Sequence, residues 1–168
     1  SEMCIRDSYG GIVHAVRDVS FSVNEGKTLA IVGESGCGKS VTVQSIMGLI
    51  PMPPGRITNG TAKLRGHEIL GTAVIEGKDI RGSEIGMIFQ DPMTSLNPTM
   101  TIGDQIAEPL QVHLGYDHGK AHAEAIQLLE LTKIPESAKR AKQYPFEFSG
   151  GMLQRALIAM AISCKPSI

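Results

Sequence analysis

The chain has no apolar run long enough to cross a bilayer: the longest, residues 156–162, falls far short of the roughly 20 residues that a membrane-spanning helix needs. Any role at a membrane must therefore come through a partner. Nor is there a surplus of either charge. Lys and Arg (16) balance Asp and Glu (17) along most of the chain, for a net charge of −1, so the electrostatic footprint of a nucleic-acid binder is missing and no nucleic-acid partner is expected. Cysteine is scarce. Cys4, Cys37 and Cys164 are odd in number and lack the spacing of metal ligands, which argues against a disulfide framework and fits free thiols in a reducing compartment. No apolar stretch follows a basic start, so no secretory signal is expected. Internal repeats and low-complexity tracts are absent too.

What is present is ordinary for a globular protein: 168 residues, 42% hydrophobic and 20% charged, enough for one domain with a core. The two ends are unusual. Residues 1–8, SEMCIRDS, do not read as the start of a domain and resemble translated sequencing-adapter sequence, so they are expected to be non-native and are set aside. The other end stops at Ile168 without a terminating signal, and a fragment is expected.

Val19, Phe21 and Val23 alternate with Ser20 and Ser22, which predicts a strand over residues 18–24 with one buried face. Residues 28–32 form a short, nearly all-apolar run ending at a glycine, the pattern of a strand buried on both faces of a parallel sheet. A helix is predicted over residues 39–49, closed by Ile50-Pro51. Residues 57–70, punctuated by Thr and Gly, suggest a short antiparallel pair, and residues 85–89 another apolar strand before the two-proline loop of residues 91–98. The pattern then turns helical. Ile102, Ile106 and Leu110 recur at i+4, with Pro109 expected to kink or delimit that helix. Ala121, Ala125, Leu128 and Leu129 form a second stripe. Residues 135–144 read as a short polar helix or turn, and residues 149–163 as a last, buried helix. This order predicts an α/β core with a helical insertion between Gln90 and Ser149.

Gly33-Glu34-Ser35-Gly36-Cys37-Gly38-Lys39-Ser40 matches the phosphate-loop pattern G-x-x-x-x-G-K-[ST] in full, with a predicted buried strand leading in and a helix leading out. Glycines let backbone N–H groups approach phosphate oxygens, and the helix points its positive end, through residues such as Val41, at the same anions. Lys39 supplies a point charge for the β- and γ-phosphates of a nucleotide, and the Ser40 hydroxyl can ligate Mg²⁺. Lys-Ser after the last glycine would do nothing for a purely structural turn. Cys37 reads as a small filler residue, with a redox-sensing role left open.

A second motif, Ser149-Gly150-Gly151-Met152-Leu153-Gln154-Arg155, opens the last helix with N-cap chemistry and two glycines. Alone it is only a helix start. Together with the phosphate loop and a predicted strand ending in Gln90, it resembles the ATP-binding-cassette ATPases. The strings at residues 32–42, 89–98 and 144–152 are similar to the oligopeptide and dipeptide importer subfamily, over about residues 10–168. Leu153 and Phe146 depart from that subfamily's usual Arg and His, at positions where small effects are expected.

The resemblance implies a P-loop NTPase (RecA-like) α/β core with an antiparallel β subdomain and an inserted α-helical subdomain, incomplete at the C-terminus. Residues 9–90 and 149–168 would form the core and β subdomain, and residues 91–148 the helical subdomain. It further implies that ATP and Mg²⁺ bind at residues 33–41, and that Tyr9 stacks on adenine. Lys39 and Gln90 would be the catalytic positions, with Gln90 joining Ser40 on Mg²⁺. Ser149, Gly150 and Gly151 would be the signature motif, which binds ATP held by a second ATPase subunit. A transmembrane permease would be the other partner, at the cytoplasmic face of the plasma membrane, with import of peptides or related solutes as the outcome. The family's Asp-Glu strand and later histidine do not occur within the chain, so weak nucleotide binding and little hydrolysis are expected of it as written. None of the five histidines (His14, His67, His113, His118 and His122) takes that later histidine's place, and each is read as a surface residue. A soluble cassette ATPase without a permease, and a non-catalytic nucleotide-binding remnant, stay open.

Overall fold

The computed structural model describes residues 2–6 and 12–168, and it divides into two compact units, Ser1–Asp79 and Ile80–Ile168. In the first unit, strands β1 (Glu2–Arg6), β2 (Ile12–Val16) and β3 (Gly55–Asn59) form a three-stranded antiparallel sheet in the order β2-β1-β3. The central strand is thus made by residues that the sequence reading set aside. Helix α1 (Lys39–Ile46) packs against β2. Two further hairpins follow, β4 (Lys63–Leu64) with β5 (His67–Glu68), and β6 (Val74–Ile75) with β7 (Lys78–Asp79). The first matches the antiparallel pair predicted over residues 57–70. It is tied by the Glu68 carboxylate, which accepts from the N–H groups of Ala62 at 2.8 Å and Leu70 at 3.2 Å. The Ala62 bond above all holds the Glu68 pKa below the ordinary carboxylate value.

Helix α1 ends three residues before its predicted stop. Gly48 takes φ 63°, Gly48 N–H donates to Ser45 O at 3.2 Å, and Leu49 N–H donates to Gln44 O at 2.9 Å. This is a Schellman stop, and it closes the helix before Ile50-Pro51 is reached. A side chain at Gly48 would also meet Gly71 O at 2.6 Å, so the stop doubles as a close contact with the chain entering the second hairpin.

The runs predicted as strands at residues 18–24, 28–32 and 85–89 are not strands. A strand of a parallel sheet has no hydrogen bonds of its own and exists only through its neighbours, and among the described residues no ladder forms along these runs. Val32 is accordingly 88% exposed. Around residue 85 a beginning of such pairing is visible. Ile168 N–H donates to Glu84 O at 3.1 Å and Gly86 N–H donates to Ile168 O at 2.7 Å, the slanted pattern of parallel neighbours with Ile168 beside Ile85.

The second unit is helical: α2 (Pro92–Ser95), α3 (Ile102–Leu114), α4 (His118–Leu131), α5 (Ser137–Arg140), a 3₁₀ turn (Pro145–Glu147) and α6 (Gly150–Ile162). The predicted stripes are its core. Ile102, Ile106 and Leu110 on α3 and Ala121, Ala125 and Leu129 on α4 are all buried. Leu153, Ala156 and Leu157 of α6 join the same cluster, so α6 belongs by packing with α3 and α4. Pro109 does not end α3, which continues to Leu114 and stops at Gly115. Among the described residues, no helix is long and apolar enough to cross a membrane.

Candidate functional site

The phosphate-loop segment turns on two glycines with positive φ, Gly36 at 81° and Gly38 at 92°. Gly38 is the residue before α1, and a Cβ there would lie 2.5 Å from Ala15 O, so only glycine allows β2 to approach the helix start. No side chain caps α1, and its first intrahelical bond is Thr42 N–H to Gly38 O at 2.9 Å. The N–H groups of Lys39, Ser40 and Val41 therefore have no partner within the helix, at the end where the helix dipole is positive.

Lys39 folds back over this turn. Its Nζ donates to Gly33 O at 2.7 Å and to Glu34 O at 2.6 Å, and it lies 3.4 Å from Cys37 Sγ. Among the described residues no carboxylate neutralises it. Residues 33–37 are exposed and Gly33 is tucked against Cys37, where an added Cβ would come within 2.6 Å of Sγ. An exposed turn with uncapped helix amides and an ammonium that no carboxylate neutralises has the chemistry that phosphate oxygens are attracted to.

Of the other predicted positions, Gln90, Ser149, Gly150 and Gly151 belong to the second unit, and Tyr9 lies outside the described residues. Gln90 is exposed and immediately precedes Asp91, whose carboxylate caps α2 by accepting from Met93 N–H at 2.9 Å. Ser149 caps α6, with its Oγ accepting from Met152 N–H at 3.4 Å. Gly150 and Gly151 are exposed, and a Cβ on either would meet nothing within 4 Å. Neither has a positive φ, so nothing in the described fold calls for glycine at these two positions.

Sequence reasoning missed a brace at Asn97, seven residues after Gln90. Gln105, only 5% exposed on the core side of α3, accepts from Asn97 N–H at 2.8 Å and donates to Asn97 O at 3.0 Å and Met100 O at 3.1 Å. It ties the end of the segment that starts at Gln90 to the helical core. Its signal was a polar residue one position before Ile106, on the apolar face.

The chain matches the family described as ABC transporter over residues 16–168. It belongs to the ABC transporter family. Among curated relatives of this ABC transporter chain, the dipeptide transport ATP-binding protein DppD of Bacillus subtilis is 52% identical over 161 residues, covering 96% of this chain and 48% of DppD. The oligopeptide transport ATP-binding protein OppD of the same organism is 53% identical over 161 residues, covering 96% of this chain and 45% of OppD. The chain thus spans about half the length of the curated relatives it matches. Among solved structures, the dimeric ABC transporter cassette MJ0796 superimposes with a TM-score of 0.78 at 25% identity, covering 98% of this chain and 68% of that one. The fold is that of an ABC ATPase cassette.

Proposed function

We propose that this chain is the ATP-binding part of a subunit that couples ATP binding and hydrolysis to the import of peptides or related small solutes through a membrane permease. The observation that carries the reading is the uncapped start of α1 with the Lys39 ammonium folded over it. The relatives' names, dipeptide and oligopeptide transport ATP-binding proteins, support the solute class. In this reading residues 33–41 hold the phosphates: the backbone amides take the oxygens, and Lys39 exchanges its two carbonyl partners for the β- and γ-phosphates. Ser40 and Gln90 offer hard, neutral oxygens of the kind Mg²⁺ takes alongside phosphate and water, and bound Mg²⁺ neutralises charge on the phosphates. Tyr9 is the proposed adenine platform.

Ser149, Gly150 and Gly151 present the start of α6 to the nucleotide of a second cassette. The space beside both glycines suits such a role, because an approaching phosphate meets backbone and no side chain. The dimeric state in which MJ0796 was solved is consistent with a paired arrangement. The partners are then a second ATPase subunit and the permease, and the place is the cytoplasmic face of the plasma membrane.

The test is Lys39→Ala, with MgATP affinity measured by calorimetry on the same chain. Losing one charge-assisted contact should weaken binding by about 10- to 100-fold. Unchanged affinity would remove Lys39 from the site and with it the nucleotide reading.

A further inference from the structure

We propose that Asp104, His118 and His122 form a binding site for a divalent transition-metal ion of the zinc type, joining α3 to α4. His118 and His122 stand four residues apart on α4 and so share one face, with ring centroids 4.3 Å apart and the planes inclined by 29°. Asp104 comes from α3 and brings Oδ1 to 3.0 Å from His122 Nε2. Each residue offers one ligand atom, and these atoms lie within 4.8 Å of one another.

Three details separate this cluster from a chance meeting of polar groups. First, the carboxylate is oriented. Thr101 Oγ1 donates to Asp104 Oδ2 at 2.5 Å and accepts from Asp104 N–H at 3.2 Å, which leaves Oδ1 as the oxygen facing His122. A ligand carboxylate held by its own hydrogen-bond partner is the usual outer support of a metal site. Second, His122 Nε2 is shut off from solvent and makes no aligned hydrogen bond, despite the short distance to Asp104. A cation bound by both atoms would satisfy it. Third, the nearby cation is engaged elsewhere, since Lys120 Nζ lies over the Tyr116 ring at 3.6 Å from its centroid.

Two imidazole nitrogens and one carboxylate oxygen form a borderline donor set that suits zinc, with water in the fourth place. Ligand atoms at tetrahedral zinc are about 3.3 Å apart, so the set must contract by about 1.5 Å at most, and rotation of the exposed His118 supplies that movement. The positive ends of α3 and α4 oppose a cation here. Asp104 and Asp117, the residue that caps α4, offset them.

The full chain, stripped of metal, is titrated with zinc chloride by calorimetry and melted with and without zinc. The expected result is one saturable equivalent and a raised melting temperature. His118→Ala, at an exposed position, should keep the fold and lose affinity by about 100-fold, and Thr101→Val should lose about tenfold through the carboxylate it orients. Absence of saturable binding overturns the proposal and leaves a His–Asp ion pair between two helices. Undiminished binding in His118→Ala overturns it equally, by sending the ion to other ligands. If Asp104→Asn also weakens cobalt binding, followed by the visible absorption of the bound ion, the carboxylate is confirmed as a ligand. An unchanged cobalt spectrum and affinity would exclude it.

Discussion

Cys37 and Cys164 share a side chain and differ in everything around it. Cys164 is buried, its Sγ lies 3.5 Å from Pro109 O, and burial raises its pKa above the ordinary thiol value. Cys37 is exposed inside the candidate phosphate loop, with Lys39 Nζ at 3.4 Å. An alkylating reagent followed by peptide mapping should therefore modify Cys37 in the folded chain and spare Cys164 until the chain unfolds. Because Cys37 lies between Gly36 and Gly38, MgATP should slow its modification several-fold. Equal rates with and without nucleotide would mean that the loop is not covered by the ligand. This test needs no substitution, so it probes the site with its geometry intact.

Among the elements, the helices follow the sequence most closely, because a helix makes its own hydrogen bonds and its 3.6-residue period shows which face will be buried. Ile102, Ile106 and Leu110, then Ala121, Ala125, Leu128 and Leu129, stand where their spacing puts them. Strands depend on neighbours far away in sequence, so the apolar pattern of residues 28–32 shows what kind of sheet would bury them but not whether its other strands are in place. The candidate site divides the same way. Residues 33–41 are contiguous and were legible as a motif. The Asp104, His118 and His122 cluster was not, because the carboxylate sits on another helix and the spacing of the two histidines alone is also that of a solvated face. Helix stops are legible only when read through backbone chemistry: Gly48, not Pro51, ends α1. Gly48→Ala should destabilise the chain by about 1–3 kcal/mol in urea unfolding, since alanine must accept both the left-handed backbone and the clash with Gly71 O. A substitution at Gly115, which has positive φ but nothing within 4 Å of its Cβ, should cost less in the same assay.

At the scale of the whole molecule, each of the two units is stabilised internally by different means. The second has a continuous apolar core shared by α3, α4 and α6. The first relies on narrow antiparallel ladders and leaves Phe21, Val23, Leu29, Ile31 and Val32 exposed. Stability follows burial, so amide hydrogen exchange should resolve two classes. Amides in the buried turns of α3, α4 and α6 should exchange slowest, and those of residues 28–32 should be among the fastest. Uniform protection along the chain would mean that these runs are covered by contacts the described fold does not contain.

Gly150 and Gly151 carry a consequence for how this sequence can vary. Alanine at either would touch nothing and would suit a helix better, so folding alone gives no reason to keep the pair. A population of variants sorted only for soluble, folded protein would drift to alanine there, whereas, on the proposed transport role, one sorted for growth on imported solute would hold both glycines. Where the two selections part company, they would separate what the chain keeps for itself from what it keeps for a neighbour.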